Sequence, residues 1–471
     1  MIVRRVLVAS LVLLGGCAEP RPSVDVRLPA DPPAALIVRD VAVLDVAGGV
    51  LLPARDVLLA DGQIAAIGPA GSVSAPAGVQ EISGAGAALV PGLVDMHGHI
   101  DADPAPTWVT RRPDHAANLR SYLYCGVTTV FDPGDSTGDA FARRDRVAAA
   151  ELIGPRIFTA GPIHTADGGH PIALVREFAP WWIGWYLAPR VAVALDSPAD
   201  AAEAVDALAA QGPDAVKIVI DAIPLEAPRL RREIAAAVVE RATSHGLRVV
   251  AHIGSTEDAI DAAEAGVAAW VHGVYKEPLS EADVTRLVGY GIPMVATIEV
   301  FERYARTGTG PREPSRLERE VASAALLASF HPVPDGFGPG ALASWLELAV
   351  ARQAANRANV GRLHRAGMTI LAGSDSQSGV FPGPGLHREL HHLVAAGLSP
   401  VEAIRAATLD AARFLADGEE PEFGAVEVGK RADLLLVEGD PTRDVGALEL
   451  IREVFVAGVA LERTPVAEVV P

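Results

Sequence analysis

Eight short apolar runs separated by stretches of helical patterning predict an α/β protein. The expected form is a (β/α)8 barrel of the TIM type with a small composite β-sandwich domain built from both chain ends. The runs are Leu89 to Met96, Thr128 to Asp132, Arg156 to Ala160, Ala215 to Ile220, Arg248 to Ala251, Ala268 to Val271, Pro293 to Thr297 and Thr369 to Ala372. Eight parallel strands close such a barrel, and its chemistry gathers at their C-terminal ends. A second observation is where potential metal ligands fall. His97 and His99 follow the first run, Lys217 lies in the fourth, His252 and His272 follow the fifth and sixth, and Asp375 follows the eighth. A third is the strand-and-turn pattern at both ends: Ala35 to Val43, Val57 to Leu59 and Ile64 to Ile67 around an Asp61-Gly62 turn, then Leu434 to Val437, Gly439-Asp440-Pro441 and a strand near Glu453 to Val456. The expected boundaries are 36–90 with 420–465 for the composite β domain and 91–419 for the barrel.

The 471 residues can bury a large core, and a chain half hydrophobic with few aromatics fits a helix-rich α/β protein rather than a disordered one. Its formal charge of −19 repels polyphosphate backbones, so nucleic acid is not an expected partner. At the start, Arg4 and Arg5 precede an apolar segment, Val6 to Leu14, that is too short to span a bilayer and has the proportions of a secretory signal. Leu14-Gly15-Gly16-Cys17 resembles the bacterial lipobox, which implies cleavage before Cys17 and a lipid on its sulfur. Residues 1–16 are then a lipoprotein signal peptide and 17–35 a tether. The protein is expected as an exported bacterial lipoprotein on the periplasmic face of a membrane or at the cell surface, with membrane contact through Cys17. An ordinary signal peptide with a chance cysteine is the alternative. With Cys17 lipidated, Cys125 alone remains as a free thiol, so no intramolecular disulfide is available.

Two connections are long for a barrel, 163–190 with its run Trp181-Trp182-Ile183-Gly184-Trp185-Tyr186, and 299–340. They suit lids or substrate walls, or equally rim packing and self-association into a homo-oligomer.

Alternation along a strand aims His97 and His99 at one point, and neutral imidazole suits zinc and related divalent ions. A cationic lysine cannot ligate. Burial lowers its pKa, and the neutral amine can add carbon dioxide to give a carbamate with two oxygens. A buried ion pair, or an unmodified lysine beside one metal, is the alternative for Lys217.

With the donors placed, the chain resembles the amidohydrolase superfamily, in the branch with a strand-4 lysine that holds imidazolonepropionase-like and prolidase-like members. The matching stretches are Pro91 to His99, Gly126-Val127-Thr128-Thr129-Val130, Gly168-Gly169-His170, Lys217, His252, His272, Ala372-Gly373-Ser374-Asp375 and Gly429 to Leu434. The resemblance implies two divalent metal ions, zinc foremost, and hydrolysis at an amide-like bond. On that reading His97, His99 and Asp375 hold one ion, His252 and His272 the other, and N6-carboxylated Lys217 bridges them. A shared water of lowered pKa is the nucleophile. Asp375 takes its proton and passes it to the leaving nitrogen, with His170 or Tyr275 assisting the oxyanion. For His170 a rim role and for Tyr275 a helix-capping role stay open.

His387, His391 and His392 are read as helix residues, His245 and His364 as helix ends, and Cys125 as a small buried hydrophobe. The sequence thus points to a binuclear amidohydrolase acting on a small-molecule amide or dipeptide-like substrate, for whose carboxylate Arg176, Arg190, Arg303 or Arg306 is available. A mononuclear imidazolonepropionase-like cyclic amide hydrolase and a non-catalytic ligand-binding lipoprotein are the alternatives.

Overall fold

A computed structural model describes residues 22–467 apart from 107, 110, 136–137, 179–180, 307–311, 332 and 334–339. The proposed signal peptide and Cys17 lie outside these residues. Among the described residues no helix is long and apolar enough to cross a membrane.

Near-continuous apolar runs form strands covered on both faces, so the barrel wall is parallel throughout. Its first three strands, Leu93–Asp95, Val127–Asp132 and Arg156–Thr159, form one sheet. Ile163–Ala166, which carries the third strand on past residues 160–162, begins a second sheet, followed by Val216–Val219, Val249–His252, Ala269–Val271, Met294–Val295 and Ile370–Leu371 as the fourth to eighth strands. The Asp214 N–H donates to Thr159 O at 2.9 Å where the sheets meet, and the Met96 N–H donates to Ala372 O at 2.9 Å where the last strand returns to the first. The α/β fold is therefore that of a closed barrel, with lysine and histidine brought to adjacent registers: Lys217 faces Val250, and His252 faces Val271.

The first predicted run divides. Ala87–Pro91 belongs to the accessory sheet, where it pairs with Leu434–Glu438 and with Ala42 and Val43, and only Leu93–Asp95 enters the barrel. Gly92 is the joint. A Cβ there would come within 2.7 Å of Thr128 Cγ2 and closer still to its Oγ1.

The accessory sheet draws on both ends, in the order Val459–Ala460, Ile451–Val456, Leu434–Glu438, Ala87–Pro91, Ala35–Asp45, Val50–Ala60, Gln63–Pro69, with Gln80–Ser83 beside Ala35–Asp45. Leu36, Val38, Val57, Leu59, Leu89, Leu434, Leu436 and Phe455 form its buried face. Asp61 and Gly62, at φ of 52° and 78°, make the tight turn expected of that dipeptide.

Two expectations need correction. The tether over 17–35 is too long, because Asp25–Arg27 pairs antiparallel with Glu462–Thr464, and Val24 and Val26 are buried in the main core. Alternating apolar positions in so short a piece form a strand once a partner edge is present. The connection over 163–190 is not all loop either. Ile163–Ala166 is barrel wall and Ala192–Leu195 extends it in parallel, with helices Ile172–Phe178 and Trp181–Val191 between them. His164 and Thr165 interrupt the apolar pattern that marks the other strands, yet both are buried. On the second helix Trp185 is 72% exposed and Arg190 stacks over the ring of Tyr186.

Gly92→Ala forces Thr128 and the joint apart and is expected to cost about 1–3 kcal/mol, the usual range for overpacking. Urea unfolding of the two proteins measures it, and equal stability would contradict the tight joint.

Candidate metal centre

The strand ends converge. His97 Nε2 and His99 Nε2 are 3.1 Å apart, and Asp375 Oδ1 lies 3.5 Å from the first and 3.2 Å from the second. His252 Nδ1 is 3.1 Å from His272 Nε2, and His272 Nδ1 is 4.0 Å from Asp375 Oδ2. The rings of His97 and His272 stand 4.8 Å apart, which joins the two pairs into one cluster around the carboxylate. His97, His272 and Asp375 place ligand atoms within 4.8 Å of one another.

Local backbone explains the aim. His272, Thr297 and Asp375, at the ends of the sixth, seventh and eighth strands, all have left-handed φ, at 73°, 76° and 52°. Each costs about 1–3 kcal/mol and is held by its surroundings. The Thr297 N–H donates to buried Glu389 Oε1 at 2.9 Å, and the Asp375 N–H donates to His97 O at 2.7 Å. Asp95 ties the first strand to the eighth. Its carboxylate accepts from Ser374 N–H at 2.9 Å, Ser374 Oγ–H at 2.5 Å and His97 N–H at 3.1 Å. Burial lifts its pKa to about 6 in spite of those donors.

Lys217 is 2% exposed, and its Nζ has no hydrogen-bond partner among the described residues. Burial pulls this amine down to about 7, with Asp375 opposing. Its charge acts on His97, His252 and His272, and its strand pairs with the one that ends in His252. Burial holds those three imidazoles well below their ordinary value, with charges from Lys217 and the neighbouring imidazoles adding to the effect. His99 differs. Burial opposes its protonation, but the hydrogen bond to Asp375 and the nearby carboxylates lift it to about 9, so a cation binding there displaces a proton.

The donor set fits divalent ions: neutral nitrogens, one buried carboxylate, and an unpartnered buried amine that a carbamate would turn into oxygen ligands. The outer nitrogens of His99, His252 and His272 are also engaged, as is usual for metal-binding imidazoles, while His97 Nδ1 is buried with no hydrogen-bond partner among the described residues. His99 Nδ1 donates to Gly134 O at 3.0 Å, His252 Nε2 donates to Asp221 Oδ2 at 3.2 Å, and His272 Nδ1 contacts Thr297 Oγ1 at 2.6 Å.

His170 stands against His252 with ring centroids 5.3 Å apart, and its buried Nδ1 has no hydrogen-bond partner among the described residues. Burial lowers its pKa to about 4, so it is neutral. Tyr275 is one step removed, its hydroxyl donating to Asp221 at 2.7 Å and accepting from Trp345 Nε1 at 2.8 Å. Of the four arginines, Arg176 pairs with Asp167 at 2.8 Å, Arg306 with Glu302 at 3.9 Å, and Arg190 stacks on Tyr186. Arg303 packs over Phe330 and against Gly379, in the loop that carries Asp375. His387, His391, His392 and His245 bond to Cys125 O, Glu449, Glu299 and Asp206, as their helix positions suggested.

Residues 88–461 match the model of the amidohydrolase family. The chain belongs to the amidohydrolase family. A structure of a prolidase complexed with N-methylphosphonate-L-proline aligns with TM-score 0.74 and 22% identity over 91% of this amidohydrolase and 100% of that chain. A Xaa-Pro dipeptidase with bound methionine aligns with TM-score 0.72 and 23% identity over 90% and 99%. A putative prolidase from Bifidobacterium longum aligns with TM-score 0.69 and 26% identity over 91% and 95%. Among curated proteins, adenine deaminase 3 of Rhizobium meliloti (strain 1021) is 38% identical over 90 residues, which is 19% of this chain and 14% of the deaminase.

Sequence reasoning passed over Asp95, Ser374, Asp221 and Thr297. The first two sit inside quoted motifs, and Asp221 lies four residues past Lys217, the spacing that returns a strand residue to the same face. Thr297 carries no signal, since only the left-handed turn brings its hydroxyl to His272. Thr297→Val keeps the shape and removes that hydroxyl, so metal affinity is expected to fall roughly 10–100-fold in competition with a chromophoric chelator. Unchanged affinity would remove Thr297 from the site.

Proposed function

We propose that this protein is a binuclear metal-dependent amidohydrolase that cleaves a C–N bond of a small peptide-like amide, with prolidase-like dipeptidase activity as the leading subtype. The observation that carries this reading is the buried Lys217 amine, unpartnered among the described residues and low enough in pKa to be carboxylated, whose charge reaches His97, His252, His272 and Asp375. The likeness over nearly the whole chain to a Xaa-Pro dipeptidase and to a prolidase complexed with N-methylphosphonate-L-proline supports the substrate class.

His97, His99 and Asp375 would hold one ion, His252 and His272 the other, and carboxylated Lys217 both. Bound there, divalent ions such as Zn2+ supply a water of lowered pKa and polarisation of the carbonyl. Asp375 keeps a carboxylate: burial pushes its pKa up, but the hydrogen bond from His99 and the surrounding positive charges outweigh that. It takes the proton of the attacking water and returns it to the leaving nitrogen, whose departure as an anion is otherwise prohibitive. His170 would donate to the carbonyl oxygen as charge develops there, a role supported by its neutrality and its uncommitted Nδ1. The buried walls exclude bulk water and strengthen each of these interactions.

Asp375→Asn removes the proton carrier and keeps an oxygen ligand. Turnover of a library of dipeptides and N-acyl amino acids is expected to fall about 10²–10⁴-fold with metal content retained. Undiminished turnover, or tight ligand binding with no turnover by the metal-loaded wild type, would contradict the hydrolase.

The address belongs to the same proposal. A lipid on Cys17 would hold the protein at the periplasmic or outer face of a membrane, and the lipobox-like Leu14-Gly15-Gly16-Cys17 supports it. Radiolabelled palmitate is expected in the wild type expressed in bacteria and absent from Cys17→Ser. Equal labelling would sink the anchor.

A further inference from the structure

Asp221 is fully buried, yet the conversion of water and amide described above makes no use of it. It lies at the mouth of the fourth strand, where the Ile220 N–H still donates to His252 O at 3.1 Å. Four groups meet its carboxylate. His252 Nε2 is 3.2 Å from Oδ2, the Tyr275 hydroxyl is 2.7 Å from the same oxygen, and Lys276 Nζ pairs with Oδ1. The fourth is Gly254, where any Cβ would collide with the carboxylate, so the backbone two residues past His252 is cut away to admit it. Lys276 is anchored in turn on Ala222 O at 3.0 Å, and Tyr275 on Trp345 of the long helix Ala343–Arg365.

A carboxylate can only accept, so His252 must present Nε2–H to Asp221, and its Nδ1 is left with a lone pair. That lone pair faces His272 Nε2 at 3.1 Å. Without Asp221 the ring could take the other tautomer or turn its nitrogens away. We propose that Asp221 is a positioning residue: it fixes the tautomer and aim of His252 for the second metal ion, while Tyr275 and Lys276 fix Asp221. The Tyr275 hydroxyl is thereby assigned to this scaffold, where its O–H donates to Asp221. Through Trp345 the scaffold also ties the strand-5 ligand to the connection that follows the seventh strand. Carboxylate, imidazole and metal in series is a general way of raising ligand basicity and fixing orientation.

This inference rests on the binuclear reading, and one titration separates the two. Metal-free protein is titrated with Co2+, the visible absorption reporting each ion as it binds. The wild type is expected to take up two ions. Asp221→Ala is expected to weaken the second ion roughly 10–100-fold and alter its absorption band, leaving the first unchanged. Asp221→Asn, which keeps an acceptor for His252, should lose less, and Tyr275→Phe, which removes one of the two groups that fix Asp221 but spares the Asp221–His252 contact, should weaken the second ion by less than Asp221→Ala. Should Asp221→Ala not fold, the loss in Asp221→Asn must still be confined to the second ion. Two ions bound with wild-type affinity in the Asp221 variants, or equal weakening of both, overturns the assignment alone. A wild type that binds fewer than two ions overturns the proposed function and this inference together.

Discussion

The seam between the first and eighth strands sets the rest of the molecule. Met96 N–H to Ala372 O, Asp375 N–H to His97 O, and two hydrogen bonds from Ser374 to the Asp95 carboxylate bring together residues about as far apart in sequence as the barrel allows. A carboxylate taken fully out of water is expensive unless its lone pairs are met, and here three donors meet them. The seam also orients chemistry: it lays His97 and His99 against Asp375 before any ion arrives. Tyr122, bonded at 2.5 Å to Ser376, supports the same loop from behind.

Preorganisation of this kind leaves an electrostatic problem that only cations solve. Buried imidazoles avoid protonation, a buried lysine tends to lose its proton, and a carboxylate sits among them. Positive charge is wanted by Asp375 and refused by most of its neighbours. Divalent ions accept nitrogen lone pairs and carboxylate oxygens together, so they satisfy both demands without protonating a ring. The left-handed turns at His272, Thr297 and Asp375 belong to the same arrangement, since strain persists where it aims a functional side chain and the surrounding structure holds it.

Much of this was legible because periodicity and donor chemistry are local properties. Each strand run was read to within a few residues, and the six donors stood out because histidine and lysine in apolar runs need a reason. What escaped is non-local. The split of the first run at Gly92 depends on Thr128 packing over that glycine, and the docking of Asp25–Arg27 depends on an edge offered more than four hundred residues later. Polar His164 and Thr165 hid a wall strand that only its parallel neighbours define. Asp221 looked like any acid after a strand, and its function exists only once His252, Tyr275, Lys276 and Gly254 surround it.

The central claim is that one pair of ions is held by residues 97, 99, 217, 252, 272 and 375. Anomalous diffraction from crystals of the zinc-loaded protein, recorded at the zinc absorption edge, tests it most directly. The account predicts two adjacent peaks about 3.5–4 Å apart, with density for a carbamate on Lys217 reaching both. A single peak, or an Nζ directed away from the peaks, would contradict it.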